Sequence, residues 1–167
     1  NLFTITTMII SVPVTELCFV CIATLYGGSI TLTTPMLFAL AFMAEFLIGG
    51  VTGIFLGSSA ADVYFHDTYF VIAHFHYTFF PIAIIAVFAG IYYWYPKMFG
   101  RTMNETLGKI HFWGTCIPFN FIFIPLFFLG AAGQNRRIAG YEGYPALMKP
   151  YLQDMRLLAT WSLIILL

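Results

Sequence analysis

The sequence predicts an all-α polytopic membrane protein, with about four transmembrane helices plus the start of a fifth. Three observations predict it. Hydrophobic residues make up 60% of the 167 residues and charged residues only 8%. Mean hydropathy is +0.88, outside the range of soluble domains. The seven basic and seven acidic residues gather between apolar runs of about 20 residues, the length a helix needs to cross ~30 Å of hydrocarbon. Alternating polar positions are too few for a barrel with a polar lumen. Basic residues are too few and too scattered for a nucleic-acid partner.

The first run covers residues 3–26 and ends in the turn YGGSITLTTP. The second covers 35–56 and gives way to GSSAADVYFHD, read as a loop. The third covers 68–95, the polar loop PKMFGRTMNETLGK follows, and the fourth run covers 110–129. Residues 130–154 form the longest non-apolar stretch, and an incomplete fifth run covers 155–167. Opening on Asn and closing inside an apolar run, the chain is expected to be an interior or C-terminal piece of something larger, or one product of a split subunit. Lys97, Arg101 and Lys109 outnumber Glu105 in the 96–109 loop, which places that loop on the inner side of the membrane. Asp62, His66, Asp67, Arg136 and Arg137 then share the opposite face. An arginine pair there runs against the positive-inside rule, so it needs a local anion. Cys18, Cys21 and Cys116 all lie in apolar runs and read as packing residues.

Three of the four histidines fall within HDTYFVIAHFHY, residues 66–77. His74 and His76 are two apart, so on a helix they project ~200° from each other. They cannot ligate one metal ion together, but each can serve a separate centre on its own flank, with Phe75 between. Ionisable groups this deep in a span are functional candidates. The bland alternative is two neutral histidines bonded to neighbouring helices. A haem needs an axial imidazole, an apolar slot and cations for its propionates near the surface. Arg136 and Arg137 offer guanidinium forks for those carboxylates. His66 and Asp67 precede His74 by eight and seven residues, roughly 10–12 Å up the helix axis, with Asp67 within about 20° of the face of His74, and that pair could supply part of a Mg²⁺ site. His111, in KIHFW, reads as a hydrogen-bonded interfacial residue and not as a ligand.

HDTYFVIAHFHY, FAGIYYWYPKMFGRTMNETLGKIHFW and LGAAGQNRR together resemble the C-terminal half of subunit I of the haem–copper oxygen reductases, and cytochrome c oxidase most closely. The resemblance covers essentially the whole chain. It implies part of a twelve-helix bundle in an energy-transducing membrane, either the mitochondrial inner membrane or the bacterial plasma membrane. His74 is then the proximal, catalytic ligand of the high-spin haem and His76 an axial ligand of the low-spin haem, with Phe75 on the path between them. Asp62, Arg136 and Arg137 attend the haem propionates, and His66 and Asp67 hold Mg²⁺ or Mn²⁺. The implied cofactors are two haems, of the a and a3 kinds, and a copper (copper B) held by residues outside this chain. The implied partners are the N-terminal half of subunit I, a copper-bearing subunit II, subunit III, accessory subunits, cytochrome c and membrane lipid. The implied reaction is reduction of O2 to water, coupled to proton translocation.

One departure concerns protons. After VP at 12–13 the family usually shows T-G-x-K, whose Thr and Lys line a proton channel; here Val14 and Leu17 stand in those places. Glu16 and Glu45 are candidate proton carriers in its stead, or else neutral acids bonded to a neighbouring helix. A quinol-oxidising member of the same fold is the nearest alternative, although Asp67 stands where such members often carry Asn. A nitric oxide reductase relative fits the HDTY and KIHFW stretches poorly. A degenerate, non-catalytic membrane scaffold is a further alternative, opposed by the joint presence of His66, Asp67, His74, His76, Arg136 and Arg137.

Overall fold

A computed structural model describes residues 2–139 together with 156, 157, 159–161, 163 and 164. Helix α1 is Leu2–Leu25, α2 is Thr34–Gly57, α3 is Ser59–Phe65, α4 is Tyr69–Phe80, α5 is Ala86–Phe99 and α6 is Glu105–Ala131. A π-helical turn, Pro81–Ile85, joins α4 to α5. Among the described residues no strand occurs, and the one isolated bridge pairs Thr68 with Asn135. Among the described residues four helices are long and apolar enough to cross a membrane: α1, α2, the continuous Tyr69–Phe99 and α6. The chain is therefore an all-α, polytopic integral membrane protein. The expected fifth run, 155–167, falls largely outside the described residues.

The polar connections are shorter than the sequence suggests, because local caps extend the helices into them. Asn104 accepts hydrogen bonds from the Thr106 and Leu107 amides, at 2.9 and 3.2 Å, so α6 starts at Glu105 and not near residue 110. Glu105 in turn accepts the Thr34 amide at 2.7 Å. A carboxylate from α6 thus caps the N-terminus of α2, where the helix dipole favours negative charge. Gly100, with φ 67, gives α5 its left-handed stop, which carries the third span to Phe99 and not to 95. GSSAADVYFHD, expected as a loop, contains α3, whose amides return to the Ser58 carbonyl. Pro81 has no N–H to give the Tyr77 carbonyl, and the helix widens into the π turn at that point.

Helix α2 is the hub, packed against α1, α4, the π turn, α5 and α6, while α4 also lies along α6. Lipid tails are as apolar as Leu, so helices in a membrane associate through close backbone approach at small residues. A Cβ on Gly49 would sit 2.7 Å from the Tyr77 carbonyl carbon and oxygen, so only glycine lets α2 meet α4 there. Gly130 does the same for α6 and α4, since a Cβ there would collide with the Phe70 backbone. One core cluster is Phe38, Ile85, Phe112 and Cys116; another is Ala73, Leu126 and Leu129. Helix α1 touches α2 but buries none of its own residues.

Overpacking of this kind costs about 1–3 kcal/mol, and backbone cannot swing away as a side chain can. Gly130→Ala is therefore expected to lower the thermal-inactivation midpoint of the assembled membrane complex by several degrees. Gly28→Ala, whose Cβ would meet only an ordinary 3.4 Å contact, serves as the unperturbed control.

Candidate functional site

His74 and His76 lie on α4 and face different helices. The Nδ1–H of His74 donates to the Gly49 carbonyl of α2 at 3.0 Å, and Thr52 Oγ1 lies 3.1 Å from the same nitrogen. A carbonyl only accepts, so the proton is on Nδ1 and the Nε2 lone pair is free. The Nδ1–H of His76 donates to the Ile72 carbonyl at 2.8 Å, one turn back on its own helix. Its ring stacks on Phe123 of α6, centroid to centroid 4.0 Å. Both imidazoles thus have one nitrogen anchored on backbone and the other available, the arrangement that holds a metal-ligating histidine. Phe75, between them, is 42% exposed and leans on His76 at 4.4 Å.

A cavity of about 270 Å³ opens between α1 and α2 beside His74, lined among others by Ser11, Val14, Thr15, Gly53 and Thr78. A Cβ on Gly53 would come within 3.0 Å of the His74 ring. Glu16 is exposed and is not among the residues lining this cavity. Glu45, on α2, is buried and accepts a hydrogen bond from Asn120 Nδ2 of α6 at 3.0 Å. His111 shares a 3.1 Å hydrogen bond with Tyr92 and is caged by Phe38 and Phe88 at 5.4 and 4.7 Å.

At the α3–α4 end, the helix does not run continuously from His66 to His74. Asp67 takes a left-handed backbone, φ 57, and α4 starts two residues later under the Thr68 cap. The spacing expected from one continuous helix, with Asp67 above the face of His74, is therefore overturned by the break. The break brings Asp67 to the segment after α6. Asp67 Oδ1 accepts from Arg136 Nη2 at 2.6 Å and Nε at 2.8 Å, and the Asp67 carbonyl accepts the Arg136 amide at 2.9 Å. Tyr69 donates its amide to the Gln134 carbonyl at 3.0 Å. Asp67 is the local anion that the arginine pair required. His66 sits between two carboxylates, Nδ1 3.5 Å from Asp62 and Nε2 3.6 Å from Asp67. Among the described residues no group of three or more His, Cys, Asp or Glu is disposed to hold a metal ion. Arg137 also takes a left-handed backbone, φ 61, and is exposed.

Gly49, Thr52, Asn120 and Gln134 were not singled out from the sequence. A glycine pair and an asparagine inside apolar runs were the available signals for Gly49 and Asn120. Thr52 and Gln134 carried none, because their roles depend on which helix lies opposite.

A protein-family model described as "Cytochrome C and Quinol oxidase polypeptide I" matches residues 1–165. This chain belongs to that family. It is 50% identical over 141 residues to quinol oxidase subunit 1 of Bacillus subtilis (strain 168), covering 84% of this chain and 22% of that protein. It is 50% identical over 140 residues to cytochrome c oxidase subunit 1 of Bacillus sp. (strain PS3), covering 84% and 23%. It is 49% identical over 140 residues to cytochrome c oxidase subunit 1 of Synechocystis sp., covering 84% and 25%. The chain spans about a quarter of the length of these curated relatives.

The hydrogen bond from Arg136, reinforced by its charge, holds the Asp67 carboxyl below the usual carboxylate range. A lowered folded-state value means that this contribution is fully present above the ordinary ~3.9 and is lost only as pH falls through the lower folded value. The bridge is thus insensitive to pH across the neutral range. Asp67→Asn removes the charge at constant size and is expected to speed tryptic cutting after Arg136 and Arg137 several-fold at neutral pH. An unchanged cutting rate would mean that the bridge does not hold this segment.

Proposed function

We propose that this chain is part of the catalytic subunit of a haem–copper terminal oxidase and carries the helix that two haems share. The observation that carries this reading is the pair of imidazoles on α4, each anchored through Nδ1 to a backbone carbonyl. Their free Nε2 atoms are offered to opposite flanks of one helix. In this reading His74 Nε2 would hold the iron of the high-spin haem and His76 Nε2 that of the low-spin haem. The surroundings fit such groups: the cavity at His74 is mostly apolar, and Gly53 leaves room at the ring. When bound, the haems supply one-electron transfer and the iron at which O2 is reduced to water.

The chain's own residues do the positioning. The Gly49 carbonyl and Thr52 orient the His74 ring, and the Ile72 carbonyl and Phe123 orient that of His76. Phe75 occupies the arc between the two flanks. Arg137, with the part of Arg136 not engaged by Asp67, would pair with the haem propionates, as would Asp62 when protonated. His66 and Asp67 contribute two donors to a Mg²⁺ or Mn²⁺ site completed from another subunit. Copper B is held by the N-terminal half of subunit I. A copper-bearing subunit II would supply electrons from cytochrome c, and subunit III and accessory subunits would complete the complex. Asp67, braced on Arg136, supports a cytochrome c donor. A quinol donor is the second reading, favoured by a relative of equal identity that bears the name quinol oxidase.

The test is a reduced-minus-oxidised visible spectrum of the native complex, with and without carbon monoxide. Two haem signals are expected, only one of them shifted by carbon monoxide. His74→Ala should remove the shifted signal and His76→Ala the unshifted one. A complex with no haem would overturn the reading in favour of a scaffold. Turnover on reduced cytochrome c against turnover on a quinol separates the two donors.

A further inference from the structure

Glu45 is 4% exposed, midway along α2, where α4 and α6 close over it. Asn120 of α6 connects the three helices. Its Nδ2 donates to the Cys116 carbonyl at 2.9 Å and to Glu45 Oε1 at 3.0 Å, and its Oδ1 accepts from the Tyr77 hydroxyl at 2.6 Å. The orientation of this amide is fixed by chemistry, because the Cys116 carbonyl accepts and so must face the nitrogen. Both amide hydrogens are then committed. Oε1 is the accepting oxygen of Glu45, while Oε2 is buried and meets no hydrogen-bond partner among the described residues.

An ionised carboxylate in this place would rest on one neutral donor. Among the described residues no Lys, Arg or His forms an ion pair with it. The titratable groups that interact with it are Tyr77 from α4 and Cys116 from α6, and neither offers positive charge. The π turn, PIAII, contributes no titratable group. A bare charge deep in hydrocarbon costs far more than the neutral acid. The pattern fits the acid: its carbonyl oxygen takes the Asn120 hydrogen and its hydroxyl is Oε2. No acceptor among the described residues locks that hydroxyl.

We infer that Glu45, held by Asn120, whose amide oxygen the Tyr77 hydroxyl fixes, is a proton-binding site inside the membrane that carries an exchangeable proton on Oε2. Binding forms one O–H bond and removes one negative charge from the bundle interior. Gly49, whose carbonyl fixes His74, is the next turn of α2, ~6 Å along the axis. Loss of the proton from Glu45 would therefore place a charge in a low-dielectric setting close to the His74 anchor. The inference stands apart from the haem assignments, because its readout makes no use of haem absorption.

Infrared difference spectra of the intact complex in its membrane, wild type minus Glu45→Gln at neutral pH, test it. The expected result is a carboxylic-acid C=O stretch present only in the wild type and shifted down in heavy water. Carboxylate bands in its place would overturn the inference, as would an acid band indifferent to heavy water. If Glu45→Gln fails to assemble, Asn120→Leu gives the same decision. Loss of the amide donor should move the acid band up, and an unmoved band would overturn the inference.

Discussion

The hydrogen bond from His74 Nδ1 to the Gly49 carbonyl, 3.0 Å long, is the contact on which the rest of the arrangement depends. It exists only because Gly49 has no side chain to hold α2 away from α4. The same closeness settles the tautomer of His74, leaves its Nε2 free and turns the ring toward the cavity between α1 and α2. The direction of His76 follows, since two residues of helix rotation carry it to the α6 side. One missing Cβ on α2 thereby sets the chemistry available on both flanks of α4.

A second constraint acts at the membrane face. The left-handed backbone at Asp67 lies between the end of α3 at Phe65 and the start of α4 at Tyr69. It also aims the Asp67 carboxylate and carbonyl at Arg136, so one residue holds both the side chain and the backbone of the segment after α6. Two segments about 70 residues apart in sequence become one polar cap over the helix bearing the histidines. A charge-assisted hydrogen bond is stronger than a neutral one and adds direction, and here it fixes loops that have little apolar surface to bury.

The polar groups inside the bundle tie its helices together. Several of them take a partner from a neighbouring helix: Glu45 and Tyr77 on Asn120, His111 on Tyr92, the α2 amide of Thr34 on Glu105. In hydrocarbon an unpaired polar group has no water to turn to, so these bonds also specify which helices are neighbours. Among the described residues, helix α1 carries no such bond to another helix and buries none of its own side chains. Its exposed apolar surface suits lipid or further helices of a larger bundle.

By itself the sequence determined the class, the approximate spans and the opposed directions of His74 and His76. Those follow from composition, run length and helical periodicity, which are local quantities. It also marked Arg136 as needing an anion, from charge placement alone. Only the tertiary structure decided that the anion is Asp67, that the stretch after α2 is helical and that Asp67 breaks the helix instead of continuing it. It alone joined Glu45 to Asn120, 75 residues away, and left Glu16 exposed and off the lining of the His74 cavity. The reason is physical: periodicity says which way a side chain points, but the partner it meets depends on which helix is packed opposite. That packing is set by sites such as Gly49 and Gly130, whose importance lies in the backbone they allow close.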